Sequence, residues 1–146
     1  MTTATPPANG QVIALAHYAA RAVLETVLAR TGTTFHQSVT LNAVSSQGGT
    51  VEDDWIIGRL TGSLKIEESA AREIVDELTA LKLLEESSSG QVSFTDSGQE
   101  LFDRIQPGVR EVSARLYAGI PAEDLATAGR VLTLVTERAN AELADA

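Results

Sequence analysis

Between Glu67 and Lys82 the apolar residues keep a helical period. Ala71, Ile74, Val75, Leu78 and Leu81 recur at the spacing of one helical face, while Glu68, Ser69, Arg72, Asp76 and Thr79 fall on the other. A shorter helix is expected just before it, from Val51 to about Thr61. That helix would bury Trp55, Ile56 and Leu60, with Thr50 as its cap and Glu52, Asp53 and Asp54 complementing its dipole. Gly62 and Ser63 end it, and Leu64-Lys65-Ile66 leaves only a tight connection. Two short helices so joined, the second strongly amphipathic, make a helix-turn-helix.

The next segment is β-like. Leu83 to Glu86 reads as a short strand, Ser87-Ser88-Ser89-Gly90 as a polar turn, and Gln91 to Thr95 as an alternating strand. A hairpin placed directly after a helix-turn-helix is a wing. Thr95 or Asp96 can then cap a long helix to about Tyr117, with a kink or short break expected near Gln106 because Pro107 lies inside it. Gly119 ends that run. Pro121, Glu123 and Asp124 open a last helix, on which Leu125, Ala128, Val131, Leu132, Val135 and Ala139 share a face.

Upstream, residues 1–10 read as a disordered leader, with Asn9 or Gly10 able to start a helix. Val12 to Arg30 is the first clear helix, and Phe35 to Ser46 a shorter second one, closed by Gly48-Gly49. The apolar positions of the first helix cover more than one stripe, so it needs cover on two sides. A partner subunit would supply that cover; an alanine-rich helix with tolerated exposure is the plainer alternative. The fold class is therefore mainly α: a winged helix-turn-helix lobe at about 35–97, with long N- and C-terminal dimerisation helices at about 11–30 and 98–146. A chain of 146 residues suits one domain, here 11–146. It has no cysteine, which excludes disulfides and thiolate chemistry. The longest apolar stretch, Val12 to Ala20, is too short and too interrupted to span a membrane, and residues 1–10 carry no basic signal-peptide start. Cytoplasmic residence, with no membrane partner, is the expectation.

The order of these elements resembles the MarR family of transcriptional regulators. The residues that carry the resemblance are Ile57-Gly58-Arg59-Leu60-Thr61-Gly62 and the run from Ser69 to Glu85, which is similar to the family's recognition helix and its "VDxLxxxGLV" exit. Lys82 stands where the family usually has glycine. Thr95-Asp96-Ser97-Gly98 resembles the family's "TxxG" after the wing, and Phe35 to Val44 its second helix. The resemblance implies a homodimer whose first and last helices interlock. It also implies that the helix from Glu67 to Lys82 enters the major groove of double-stranded DNA and the wing tip, Ser87 to Gln91, the minor groove. Small phenolic or other aromatic acids would bind between the dimer helices and the lobe.

The charge runs against DNA binding. Residues 51–96 carry four cations, Arg59, Lys65, Arg72 and Lys82, against eleven acids, a balance of −7 within a chain total of −9. The wing tip has no basic residue, where family wings usually carry an Asp-Arg pair, and a duplex is a dense polyanion. Two functions therefore stand. In the first, a homodimer binds specific DNA and is released by a small aromatic or acidic ligand. Arg72 would reach a base edge or a phosphate, Ser69 a phosphate, Arg59 and Lys65 the backbone, and Ser88, Ser89 and Gln91 the minor groove. In the second, a winged helix with little DNA affinity serves as a protein-interaction or ligand-binding module, since fold alone does not fix function.

Enzymatic chemistry is not expected. The chain has two histidines and lacks nucleophile-elbow, P-loop, dinucleotide and HExxH patterns, and neither a cofactor nor a metal site is implied. The ligand candidates are His17, Tyr18 and Arg21 on the first helix, Phe35 and His36 opening the second, and Trp55. Together they would line a pocket for a small aromatic anion with Arg21 as carboxylate partner. The alternative places both histidines on the surface or in an interface, with Trp55 as plain core.

Overall fold

The computed structural model describes residues 5–146. Six helices and one small sheet run in the order α1 (Gly10–Ala29), α2 (Phe35–Ser46), β1 (Thr50–Glu52), α3 (Asp53–Leu64), α4 (Glu68–Ala80), β2 (Leu84–Glu86), β3 (Gln91–Phe94), α5 (Asp96–Tyr117) and α6 (Ala122–Asp145). Residues 1–4 of the expected leader lie outside the described residues. Asn9 caps α1, its side chain accepting from the Val12 N–H at 2.9 Å. The sequence reads as one domain over 11–146. The chain's packing groups it into two compact units, one ending at Val112 and the other running Ser113–Ala146.

In the first unit a single core forms under α2, α3, α4 and the sheet. Leu41, Val44, Ile56, Leu60, Val75, Leu78, Leu84 and Val92 are all fully enclosed. Of the α4 face that its spacing predicts, Ala71, Ile74, Val75 and Leu78 are buried, whereas Leu81, just past the last residue of α4, is 58% exposed because the helix ends before it. The Thr34 hydroxyl and the Gln37 side chain form a reciprocal capping box that fixes the start of α2.

The start of α3 differs from the expectation. Thr50 is not a cap and Val51 is not helical; Thr50–Glu52 is a strand, and α3 begins at Asp53 with no side-chain cap. The sheet is the reason. β1 pairs antiparallel with β3, Val51 opposite Val92, so the wing hairpin gains a third strand in the order β1-β3-β2. Burying Val51 in this sheet outweighs extending the helix by a turn.

Two lysines adopt left-handed backbone: Lys65 at φ 57° closing α3, and Lys82 at φ 60° after α4. Lys82 occupies the place where the resemblance leads one to expect glycine, and the conformation explains that preference, since only glycine adopts it without steric cost. Lys82→Gly is therefore expected to stabilise the protein by about 0.5–1 kcal/mol, the relieved strain exceeding the added chain entropy. A rise in thermal midpoint of about 2–3 °C would register it; a fall would show that the lysine side chain contributes more than its backbone costs.

The expected break in α5 is absent. The helix continues through Pro107, which has no N–H to donate. Gly108 beside it lets α1 approach: a Cβ there would lie 2.7 Å from Val27 Cγ1, and Val27 and Leu28 are the buried end of α1. The stretch Val12 to Ala20 is short, yet the whole of α1 is long and apolar enough, by length and composition, to cross a bilayer. Two observations favour protein cover instead. The Arg21–Glu25 ion pair, at 2.9 Å, sits within the helix, and charges there are costly in hydrocarbon. The last turn of α1 is also built into the core.

In the second unit α6 buries none of its residues within the chain. Leu125, Leu132, Val135 and Leu143 are all exposed.

Candidate nucleic-acid interface and neighbouring cavity

The exposed face of α4 and the wing form the surface that a winged helix would offer to DNA. Ser69 lies exposed in the first turn of α4. Three and seven residues on, the same side carries Arg72 and Asp76. Arg72 is half-buried, and its guanidinium is committed. Both terminal nitrogens donate to the Asp53 carboxylate at 2.7 Å, and Glu86 on β2 lies 3.8 Å away. This fork ties α4 to the first turn of α3 and to the wing. The hydrogen bonds from Arg72 hold the Asp53 carboxyl below the usual carboxylate range, against a smaller opposing effect of burial. The same bonds raise Arg72 well above its ordinary value.

This pairing makes stability depend on pH in a definite direction. A carboxyl with depressed folded-state pKa contributes stability that is complete above its unfolded value, about 3.9, and is lost as pH falls through the folded value. Because the pair is partly solvated, its worth is modest. Asp53→Asn should cost about 0.5–1 kcal/mol at neutral pH. Urea melts should show that difference shrinking as pH falls below about 3.9 and through the depressed folded value, where the wild-type carboxyl is protonated too. A difference that persists unchanged in acid would mean the effect comes from packing and not from charge.

The other DNA candidates are spread around this clamp. Arg59 is exposed on α3, with its guanidinium 5.9 Å from the Trp55 ring centre. Lys65, in its left-handed cap, donates from Nζ to the Gly62 carbonyl at 2.6 Å. At the wing tip Ser88 and Ser89 are exposed, and the Ser89 hydroxyl meets that of Ser87 at 2.8 Å. Gln91 closes the turn as the first residue of β3, its carbonyl accepting from the Ser87 N–H at 2.8 Å, while its side-chain amide donates to Glu52 of β1 at 3.2 Å. The fully exposed charged positions of α4 are acidic: Glu68, Glu73, Asp76 and Glu77.

Behind α4 lies a cavity of about 600 Å³ between α1, the start of α2 and α4. Three of the ligand candidates line it: Arg21, Phe35 and His36. His17 and Tyr18 extend the aromatic group, their rings 5.6 Å apart and that of His17 6.3 Å from Phe35. Trp55 is not brought there. It faces a separate cavity with Thr50, Glu52 and Gln91, because the first turn of α3 is held against β1. The opposite wall of the first cavity comes from Glu73 and Glu77, which the sequence alone does not distinguish from solvated charge. A smaller cavity of about 220 Å³ lies between α1, α2 and α5, lined mainly by apolar residues such as Leu24, Val39, Phe102 and Val109.

The partner of Arg72 has no sequence signal. Asp53 is 19 positions away and reads as an ordinary dipole-complementing acid. The TxxG segment does carry one, and the fold gives its physical role. The Thr95 hydroxyl accepts from the Gly98 N–H at 3.0 Å and donates to the Lys82 carbonyl. It thereby caps α5 and fastens it to the exit of α4.

No protein-family model matches the sequence, and no curated protein does. Solved structures do match. A MarR-family transcriptional regulator from Rhodococcus sp. RHA1 superposes with a TM-score of 0.73 at 18% identity, over 87% of this chain and 92% of that one. BpsR of Bordetella bronchiseptica, solved in a study of how 6-hydroxynicotinic acid regulates its DNA binding, gives 0.71 at 17% identity over 93% and 98%. A mutant of MarR from E. coli complexed with operator DNA gives 0.71 at 17% identity over 86% and 91%. Likeness at such low identity speaks to architecture, and over nearly the full length of each neighbour the architecture agrees: this chain has the winged-helix fold of the MarR-family transcriptional regulators.

Proposed function

We propose that the protein is a DNA-binding transcriptional regulator that acts in the cytoplasm as a homodimer and is released from its site by a small ligand. The observation that carries this reading is the placement of α4. It is an exposed helix of a MarR-type winged lobe, flanked by a three-stranded wing, with Ser69 in its first turn. Neighbours of the same fold include one solved on operator DNA and one whose DNA binding is regulated by an aromatic acid. The apolar residues of α6 that stay exposed in one chain supply the surface for the partner subunit.

A second reading is favoured by a specific observation: of the four cations on the lobe, the one on α4 is bound to Asp53 and Glu86, and eleven acids surround them. On that reading the lobe has lost DNA affinity and serves a protein or ligand. Fluorescence anisotropy on a duplex from the gene's own upstream region, at low and at physiological salt, decides between them. Binding that exceeds a scrambled duplex and weakens with salt supports the regulator. Absence of binding even at low salt supports the second reading. Under the first, Arg72→Ala removes binding, while Asp53→Asn, which frees the guanidinium and deletes an acid, tightens it several-fold.

A further inference from the structure

A further cavity, of about 410 Å³, lies between the α1–α2 loop, the exit of α4 and the first turns of α5. Its size falls in the range of small-molecule sites. Gln37 lines it and is only 8% exposed. The capping box at the start of α2 fixes which way that amide points. Oε1 accepts from the Thr34 N–H at 3.1 Å, so the donor end, Nε2, lies on the other side. Among the described residues Nε2 has no hydrogen-bond partner, yet it is not sealed off, so its open N–H faces the cavity. The hydroxyls on the same wall offer no proton. Thr31 donates to the Leu28 carbonyl at 3.1 Å, so the 2.8 Å bond between Thr31 and Thr33 uses the Thr33 proton.

The remaining walls are apolar with a balanced rim. Leu81, Leu83 and Leu101 supply apolar surface, and Leu81 is exposed. The two charges are Glu100 and Arg104, one helical turn apart on α5 and both exposed. Among the described residues neither has an ion pair. An anion gains at Arg104 and loses at Glu100, and a cation the reverse. A full charge brought against one uncharged amide is poorly compensated. A neutral acceptor satisfies the Gln37 N–H without that cost.

We propose that this cavity binds a small uncharged carbonyl compound with an apolar body. Its carbonyl oxygen accepts from Gln37 Nε2, and its body packs on Leu81, Leu83 and Leu101. The bound molecule joins α2 to the exit of α4 and the start of α5. This site goes beyond the proposed function and stands whether or not the lobe binds DNA.

Nuclear magnetic resonance on the isotope-labelled full chain, without DNA, follows the side-chain amide of Gln37, assigned by its disappearance in Gln37→Glu. Glutamate at this position completes the same capping box, so α2 keeps its start, while a carboxylate oxygen replaces the donor. The neutral probes are acetophenone and cyclohexanone, each compared with the carboxylate on the same ring, benzoate and cyclohexanecarboxylate. The expected result is that at least one ketone shifts the Gln37 amide saturably, together with the backbone amides of Leu83 and Leu101. Its carboxylate should bind at least about tenfold more weakly. Gln37→Glu should weaken the ketone to a similar degree, read from Leu83 and Leu101, with an unchanged circular dichroism spectrum. Ketone binding that survives Gln37→Glu removes the amide as anchor and overturns the proposal. A carboxylate that binds as well as its ketone overturns the neutral class and gives the cavity to an anion held by Arg104. If neither ketone moves the Gln37 amide, or if protein concentration alone moves it because a second copy covers the cavity, the proposal falls. None of these outcomes bears on the anisotropy experiment.

Discussion

Gly98→Ala lowers the free energy of unfolding by about 3 kcal/mol or prevents folding altogether, the largest effect expected of any glycine-to-alanine change among the described residues. The reason is local and steric. A Cβ at position 98 would overlap the carbonyl oxygen of Leu83, and that carbonyl cannot move. The Leu83 N–H is bonded to the Leu78 carbonyl at 2.9 Å, and the Leu83 carbonyl accepts from the Thr95 N–H at 3.2 Å. The Thr95 hydroxyl holds Lys82 on one side and the Gly98 N–H on the other. Backbone therefore meets backbone, with no flexible side chain to give way. Two comparisons isolate the cause. Gly108→Ala also meets an obstacle, Val27 Cγ1, but a valine methyl can shift, so a smaller loss is expected. Gly129→Ala in α6 meets nothing within 4 Å and should be neutral or slightly stabilising, because alanine is the better helix former. Urea denaturation of the three variants checks the order. A Gly98→Ala protein within about 0.5 kcal/mol of wild type would mean that the α4 exit and the start of α5 do not meet as described.

That contact shows what is legible in a sequence and what is not. The pattern Ala71, Ile74, Val75, Leu78 names the buried face of α4 because a helix against a core leaves a period that one can count. Thr95 and Gly98 stand out as a motif, but the physical demand behind them, a close approach to Leu83, belongs to a tertiary contact. β1 escapes sequence reading for a related reason. Three residues carry no measurable period, and Thr50-Val51-Glu52 followed by acids looks like a helix start until β3 is available to pair with it. At the candidate site, Arg21, Phe35 and His36 converge as their helices suggest, whereas Trp55 is held apart from them at the sheet by β1. Glu73 and Glu77 read as solvated charge because exposure on a helix does not reveal which neighbour stands opposite. The Asp53–Arg72 clamp is of the same kind: both residue types are ordinary at their positions, and only the fold brings them together.

The other large effect concerns α6. Leu125, Ala128, Leu132, Val135 and Ala139 recur at alternating spacings of three and four, the seam of a helix that packs lengthwise on another. Within one chain none of them is buried; Leu132 is 42% and Val135 45% exposed. An apolar seam of this length left in water is costly, and a second copy of the same helix buries it symmetrically. The wild-type protein is therefore expected to sediment at twice its 15.4 kDa chain mass. Leu132→Glu combined with Val135→Glu should make it a monomer. Each unpaired carboxylate forced into an apolar seam costs about 3 kcal/mol or more, and a symmetric dimer meets each substitution twice, so the dissociation constant should rise by at least about 10⁴-fold. Ala141→Glu adds the same kind of charge on the opposite side of the helix and should leave the mass unchanged. Sedimentation velocity at about micromolar concentration, where many stable homodimers are intact, distinguishes the three proteins. A wild-type chain that sediments as a monomer would remove the homodimer. With it would go the means of presenting two recognition helices to one operator, because half-site recognition depends on two-fold symmetry in the protein. A dimer that survives both glutamates would instead place the subunit contact elsewhere, with the broad apolar surface of α1, including Leu15 and Tyr18, as the next surface to charge.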